Sequence, residues 1–249
     1  YINTHRFLFY FSSFPGLNKV FIGFSALTYL GLFFLIISFP VSKLFLQRNF
    51  IWLTSGVAIH LGFFASLYFL INQDGPVLVY FGMDISNRAA LLIIVLISVL
   101  MDSLAFFGGK KFGQNKLIQN VSPNKTVEGF LIAMTLTPLI ILLATFSLVE
   151  KNFYQFVILI LVSSFVAVIG DAVISLFKRV AEVKDTSNLI PGHGGLLDRI
   201  DSHLAAAPSF VVLVYLMGLV TQAEGEWAVR VASNASGIQR IVKVFEYID

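Results

Sequence analysis

Long apolar runs dominate this sequence and limit what the chain can fold into. A helix needs about 20 mostly apolar residues to cross a bilayer, and six runs meet that length. Charged residues make up only 12% of the chain, against about 25% in an ordinary soluble domain. We therefore predict an all-α fold, a polytopic transmembrane helical bundle with about six or more spanning helices. The predicted spans are residues 20–39, 50–71, 89–108, 127–149, 153–177 and 204–220.

These spans also set the domain organisation. We predict one transmembrane domain over residues 20–220, with an N-terminal segment over 1–19 and a tail over 221–249. Because the chain begins at Tyr1 rather than Met, we expect the natural N-terminus to lie upstream. The tail is predicted to be a surface helix, an added segment or a functional piece. Its apolar residues have the spacing of an amphipathic helix: Ile238, Ile241, Val242 and Phe245.

The loops that connect the spans differ in basic residues, which predicts their orientation. One side holds ten Lys and Arg residues, and the other holds seven, or four without the tail. Cytoplasmic loops carry the excess of Lys and Arg in membrane proteins. We therefore expect a polar cavity on the richer side to face the cytoplasm. The ten are Lys43, Arg48, Lys110, Lys111, Lys116, Lys125, Lys178, Arg179, Lys184 and Arg199.

Composition also excludes some chemistry. The chain has no cysteine, so disulfides, thiolate metal sites and cysteine nucleophiles are ruled out. The net charge is only +3, and the basic residues are spread among loops rather than gathered in a patch. We therefore expect no nucleic-acid partner, and any metal must be held by oxygen or imidazole.

Residues 175–201 form the densest polar stretch and contain candidate metal ligands. Asp198 and Asp201 have the i, i+3 spacing that places two side chains on one helix face, and Mg²⁺ prefers carboxylate oxygens together with substrate phosphates. Asp171 follows a long apolar run, and a carboxylate inside a span marks a functional site by default. Its expected partners are a metal shared with Asp198 and Asp201, or Lys178 and Arg179. A simple ion pair is the alternative.

Asp102 poses the same question in the third predicted span. Its carboxylate also lies within an apolar run. It could serve in a site, or it could equally be a buried group that pairs helices.

Two shorter motifs predict phosphate contacts. Residues 191–195 read PGHGG, where missing side chains let backbone N–H groups approach a phosphate; a plain turn, with His193 as a structural hydrogen bonder, is the alternative. Residues 122–129 read SPNKTVEG. Ser122 could simply cap the fourth span. Lys125 and Thr126 are not needed for that role, and they lie where a helix N-terminus favours anions.

Together these motifs resemble the phosphatidate cytidylyltransferases, also called CDP-diglyceride synthetases or CDP-diacylglycerol synthases. The family signature S-x-x-K-R-x-x-x-x-K-D-x-x-x-x-x-P-G-H-G-G-x-x-D-R-x-D is matched from Ser175 to Asp201. DSLAFFGGKKFG, from Asp102, and SPNKTVEG resemble two further family blocks. The resemblance covers residues 85–218. Asn124, Val127 and Ile174 depart from the family pattern, which usually has Lys, Trp and often an acidic residue there.

The resemblance implies transfer of CMP from CTP to phosphatidic acid, giving CDP-diacylglycerol and pyrophosphate, by a catalytic domain over residues 20–220. It implies Mg²⁺ and a second, monovalent cation such as K⁺, with membrane lipids as surroundings; a homodimer stays open. Asp171, Asp198 and Asp201 would bind metal. They would form the catalytic set together with Lys178 and Arg179. The implied substrate-binding residues are Ser122, Lys125, Thr126, Ser175, Lys184, Asp185, His193, Gly194, Gly195 and Arg199.

Two alternatives remain at this point. A related membrane enzyme that uses CTP, such as a CDP-archaeol synthase or a polyprenol or phytol kinase, would share the metal chemistry but use another acceptor. An ion-coupled transporter would use Asp102 and Asp171 as an ion pathway. Assays with defined lipids distinguish the first alternative from transfer to phosphatidic acid. Uptake of a solute without CTP consumption would favour the second.

Overall fold

The computed structural model describes residues 15–47, 49–72, 87–149, 152–187, 189 and 194–217. Within them, six helices are long and apolar enough to cross a membrane, which confirms the predicted bundle. A helix satisfies its own backbone hydrogen bonds, which lipid cannot do. The protein is therefore an integral, multi-pass membrane protein. In chain order the elements are α1 (Pro15–Ile37), α2 (Lys43–Leu46), α3 (Asn49–Asn72), α4 (Asn87–Phe112), β1 (Lys116–Ile118), β2 (Ser122–Thr126), α5 (Val127–Thr145), α6 (Phe153–Val180) and α7 (Leu197–Met217).

The spanning helices carry apolar side chains on both their inner and outer faces. On α1, Ile22 and Leu32 are buried, whereas Leu27 and Phe34 are more than half exposed. A helix that is apolar all round is expected where lipid rather than water covers the outer face. The exposed side chains thus form the surface toward the acyl chains.

Small residues allow the helices around the polar end of the bundle to approach closely, as is common between membrane helices. A Cβ added to Gly129 of α5 would lie 2.5 Å from the Ala105 carbonyl oxygen of α4. A Cβ added to Gly170 of α6 would lie 2.7 Å from the Asp201 carbonyl oxygen of α7. Glycine is therefore needed at both contacts, and the second one fixes the spacing of two helices that carry carboxylates.

A short antiparallel hairpin joins α4 to α5. Strand β1 pairs with β2, with Lys116 opposite Thr126. The fourth predicted span does begin at Val127, but Thr126 is its N-cap and accepts a hydrogen bond from the Gly129 N–H at 3.2 Å. The alternative of Ser122 as the cap is therefore wrong, because residues 122–126 are extended. The hairpin instead carries the neighbouring Lys125 toward the bundle.

The sixth span differs most from its predicted bounds. It begins at Leu197 rather than at residue 204, because hydropathy alone places the start after the charged residues Asp198, Arg199 and Asp201. Those residues occupy the first turns of α7, where polar partners accommodate them. Most of the predicted segment 1–19 and all of the tail 221–249 lie outside the described residues, so those predictions stay predictions.

Candidate active site

A cavity of about 420 Å³ lies where α4, α6 and α7 meet the hairpin, a volume within the usual range of small-molecule sites. Three helices, both strands and the start of α5 contribute to its wall, so residues distant in sequence converge there. The wall consists of Met101, Asp102, Ala105, Phe106, Leu117, Asn124, Lys125, Thr126, Phe130, Val168, Asp171, Lys178, Asp198, Arg199 and Asp201.

Three carboxylates from three different helices face this cavity, and we call Asp102, Asp171 and Asp201 the carboxylate cluster. Asp201 interacts electrostatically with both other members, and Asp102 also interacts with Asp171. Asp201 is only 9% exposed. Like charges held together away from water are unfavourable unless a cation or a proton compensates them.

A lysine of the hairpin lies close to the carboxylate cluster. Lys125 of the hairpin lies 2.5 Å from Asp171 Oδ2, and its charge also acts on Asp102 and Asp201. Asp171 was expected to pair with Lys178 or Arg179 if no metal were bound, and that expectation is wrong. Lys178 contacts Asp198. Arg179 donates to the Val121 carbonyl oxygen at 3.0 Å.

Hydroxyl groups add neutral donors to the carboxylate cluster. Ser202 Oγ donates to Asp102 Oδ2 at 3.0 Å, and Ser175 Oγ donates to Asp171 Oδ1 at 3.4 Å. The Ser202 backbone N–H donates to Asp201 Oδ1 at 2.8 Å. These bonds orient the carboxylates, but neutral donors do not neutralise the negative charge.

Asp198 lies in a second group, which we call the loop cluster and which comprises Asp198, Lys178, Thr186 and Gly195. Asp198 Oδ1 accepts from Lys178 Nζ at 2.8 Å. Asp198 Oδ2 accepts from the Thr186 N–H and hydroxyl and from the Gly195 N–H at 2.8 to 2.9 Å. A carboxylate with four donors is close to its acceptor capacity. Asp198 therefore ties the α6–α7 loop to both helices.

The residues present fit a divalent cation by charge and donor type. No three Asp, Glu or His side chains of the described residues are close enough to hold a metal ion by themselves. Mg²⁺ is usually held by one or two carboxylates plus substrate phosphates, so a complete protein cage is not required. Of the described residues, four carboxylates and three cationic side chains line the cavity, so a cation bound together with substrate phosphates fits its charge.

Comparison with known proteins shows which family this chain belongs to. The chain matches the sequence model described as the cytidylyltransferase family over residues 3–217. The chain belongs to the cytidylyltransferase family. The match covers all six spanning helices, so family membership applies to the whole bundle rather than to one motif.

Curated relatives of this cytidylyltransferase family member support the assignment. The phosphatidate cytidylyltransferase of Haemophilus influenzae is 38% identical over 182 residues, which cover 71% of this chain and 62% of that protein. The phosphatidate cytidylyltransferase of Bacillus subtilis is 42% identical, with 46% of this chain and 43% of that protein covered. The chain thus spans less than two thirds of the length of these relatives.

The structure brings about half of the fifteen predicted site residues to the cavity. Of these, seven line it: Lys125, Thr126, Asp171, Lys178, Asp198, Arg199 and Asp201. Ser175 is buried behind Asp171, to which it donates its hydroxyl. The i, i+3 spacing did place Asp198 and Asp201 at the same cavity, although their partners differ.

Other predicted residues of this family member do not line the cavity. Arg179, Lys184 and Asp185 are exposed, and Ser122 lies in β2 outside the lining set. Gly194 has a φ of +81°, a conformation that favours glycine. The Gly195 N–H donates to Asp198, where a phosphate had been expected. His193 lies outside the described residues, so its role stays a prediction.

Asp102 is the residue that the sequence-based site set missed. It lies in the second half of α4 and joins Asp171 and Asp201 in the carboxylate cluster. The signal that could have found it was available, because Asp102 is a carboxylate inside an apolar span and begins a family block. Thr186 was also missed, since a threonine in a polar loop carries no distinctive signal.

Proposed function

We propose that this protein transfers a cytidylyl group from CTP to phosphatidic acid, giving CDP-diacylglycerol and pyrophosphate for phospholipid biosynthesis. The observation that carries the proposal is the carboxylate cluster with Lys125 and Arg199 at one cavity, at the end of a membrane-spanning bundle. Relatives with the printed name phosphatidate cytidylyltransferase support the choice of substrates. A cavity in that place can receive a nucleotide from water and a headgroup from lipid.

The chemistry needs positioning and charge compensation rather than a protein nucleophile. A phosphate oxygen of phosphatidic acid attacks the α-phosphorus of CTP, a new P–O bond forms, and the bond to pyrophosphate breaks in line with it. Lys125 and Arg199 supply cationic groups for the phosphates. Thr126, at the N-terminus of α5, adds a hydroxyl where the helix dipole favours anions.

Asp171 and Asp201 are the residues that would hold Mg²⁺, with Asp102 beside them. A divalent cation there would neutralise charge on the triphosphate. Asp198 as a third metal ligand stays a prediction, and it requires Asp198 to give up its bond to Lys178. The second, monovalent cation is likewise part of the proposal, and the remaining negative charge of the cavity supports it.

The cavity is proposed to face the cytoplasm, where CTP is present. Lys125, Lys178 and Arg199 at the cavity lie on the side that is richer in Lys and Arg, and cytoplasmic loops carry that excess. Single cysteines introduced at the exposed positions Lys184 and Asp185 would be labelled from the cytoplasmic side of sealed vesicles. Labelling from the opposite side would contradict the proposed orientation.

Pyrophosphate release from CTP by the purified protein in detergent tests the reaction. We expect release only when phosphatidic acid and Mg²⁺ are both present, with CDP-diacylglycerol as the lipid product. Phosphatidic acid that gives no product, while an archaeol phosphate or a polyprenol does, would reassign the acceptor. Solute uptake into vesicles without CTP consumption would contradict an enzyme of this class altogether.

A further inference from the structure

Tyr29 on α1 places a polar group where the fold gives it no partner. Its side chain is only 4% exposed, and within the described residues its hydroxyl has no hydrogen-bond partner. A buried hydroxyl without a partner is unfavourable, and the great majority of such groups are satisfied. Phenylalanine would fill the same space without that disadvantage, so the hydroxyl calls for an explanation.

Several serine and threonine hydroxyls in the spans, such as those of Ser25 and Ser98, are also buried without a partner, but a local partner is within their reach. Serine and threonine in a helix can rotate onto the carbonyl one turn earlier, as Ser66 does with the Gly62 carbonyl oxygen at 2.7 Å. The hydroxyl of tyrosine is at the far end of a rigid ring and cannot reach its own helix backbone. Any partner of Tyr29 must therefore come from another element or from a bound ligand.

The ring of Tyr29 packs among residues that flank the carboxylate cluster. Tyr29 belongs to the same buried apolar cluster as Ala172 of α6 and Leu204 and Ala205 of α7. Ala172 follows Asp171 directly, and Leu204 is one turn from Asp201. The phenol also interacts electrostatically with Asp201. A helix outside all the motifs thus reaches the carboxylate cluster.

Asp201 has acceptor capacity to receive such a donor. Its Oδ1 accepts the Ser202 N–H at 2.8 Å, while a carboxylate has about four acceptor positions. By contrast, Asp198 already has four donors. A second donor on Asp201 would fix which of its oxygens faces the cavity.

We propose that Tyr29 is a positioning residue, whose hydroxyl donates to the Asp201 carboxylate through one water and orients it toward a bound divalent cation. The inference rests on the proposed cation site within the proposed function. Partners that orient a metal-binding carboxylate typically change metal affinity or activity by about 10- to 100-fold when removed. Tyr29 would do this from α1, which carries none of the family motifs.

The test measures cation binding apart from turnover. Mn²⁺ binding to the full chain in detergent, without nucleotide or lipid, is followed by the electron paramagnetic resonance of free Mn²⁺, with Mg²⁺ as competitor. We expect Tyr29→Phe to weaken Mn²⁺ binding about tenfold and to leave the unfolding midpoint of the cation-free protein unchanged or raised. Tyr154→Phe is the matched control, because Tyr154 is 84% exposed on α6, and it should bind Mn²⁺ like the original protein.

A parallel assay of pyrophosphate release separates this inference from the proposed function. Tyr29→Phe should need a roughly tenfold higher Mg²⁺ concentration for half-maximal release. Equal Mn²⁺ affinity in Tyr29→Phe and the original protein would overturn the inference even if both release pyrophosphate, as would an original protein that binds no Mn²⁺. Weakened Mn²⁺ binding in a protein that never turns over CTP would support Tyr29 and contradict the proposed reaction instead.

Discussion

The carboxylate cluster and the loop cluster lie side by side at one cavity, yet their acidic residues differ in how many hydrogen bonds they accept. Asp198 and Asp201 are one turn apart at the start of α7. Asp198 accepts four hydrogen bonds, one of them from the ammonium of Lys178. Within the described part of the chain, Asp201 accepts one, from its neighbour's N–H, and it interacts with the charges of two other carboxylates.

The difference shows that spacing on a helix brings groups to a site without assigning their roles. A carboxylate saturated with donors gains little from a ligand and stabilises the fold. A carboxylate crowded by like charges gains much from a cation and is stable only with compensation. We therefore propose that the carboxylate cluster binds the ligand and that the loop cluster anchors the loop.

The largest effect that would test this comparison is expected for Asp201→Asn. The amide keeps the shape but removes one charge from the proposed cation site. A metal contributes several kcal/mol to catalysis of this kind, so we expect pyrophosphate release to fall about a thousandfold. The unfolding midpoint should stay the same or rise, because a buried charge repulsion is lost. Glu182→Gln, an exposed change away from the cavity, is the control, and full activity in Asp201→Asn would contradict the assignment.

Gly170→Ala changes the carboxylate cluster without changing any of its groups. The added methyl would lie 2.7 Å from both Ala205 Cβ and the Asp201 carbonyl oxygen, so α7 must move away from α6. A displacement of about 1 Å at a catalytic site can cost roughly a hundredfold in rate, and we expect a loss of that order in pyrophosphate release.

The control for this change is Gly23→Ala on α1, where an added Cβ meets nothing within 4 Å. It should leave the rate unaltered and keep or slightly raise the unfolding midpoint, because alanine is the better helix former. An undiminished rate in Gly170→Ala would mean that the separation of Asp171 from Asp201 does not matter for the reaction.

Asp198→Asn should act on stability first. The amide loses the charged bond to Lys178 and can no longer accept from all three loop donors. Hydrogen bonds to charged groups contribute about 1.5–3 kcal/mol, so we expect the free energy of unfolding to fall by about 2 kcal/mol. Thermal unfolding in detergent would show a lower midpoint, and limited proteolysis would cut residues 183–189 faster. A variant as stable as the original but unable to bind Mn²⁺ would instead make Asp198 a metal ligand.

The spans and much of the site follow from local sequence signals. Hydropathy is a property of consecutive residues, so five of the six spans were placed within a few residues of their observed bounds. Asp171 could be predicted because a carboxylate inside an apolar span marks a functional site by default. Asp201 could be predicted because its i, i+3 spacing to Asp198 places both side chains on one helix face. The family signature then pointed to Lys125 and Arg199, which line the cavity.

The pairing of charges could not be predicted in this way. Lys125 and Asp171 are far apart in sequence, and they meet only because the hairpin folds back over the end of α6. The start of α7 was missed because its charged residues are stabilised by tertiary partners that hydropathy ignores. Asp102 was left out of the site because its two explanations, helix pairing and ligand binding, differ only once the neighbouring helices are in place.

The smallest effect is expected outside both clusters, at the ion pair between Lys43 and Glu182. The two atoms are 2.8 Å apart, but the Glu182 side chain is 75% exposed, and exposed pairs contribute little. The hydrogen bond from Lys43 holds the pKa of the Glu182 carboxyl below its ordinary value of 4.5. A carboxyl with a lowered folded-state pKa adds stability above its ordinary pKa, and that stability is lost as the pH falls below it.

Glu182→Gln should therefore lower the unfolding midpoint slightly at pH 7 and not at all once the pH lies below the lowered folded-state pKa, where the original carboxyl is also neutral. The difference at pH 7 should shrink further in high salt, because solvent-exposed charges are screened. Midpoints measured at both pH values, in low and high salt, check this. A loss of stability as large as that of Asp198→Asn would mean that the exposed ion pair of Lys43 with Glu182 stabilises the fold as much as the buried pair of Lys178 with Asp198. The contrast between buried and exposed pairs would then no longer hold.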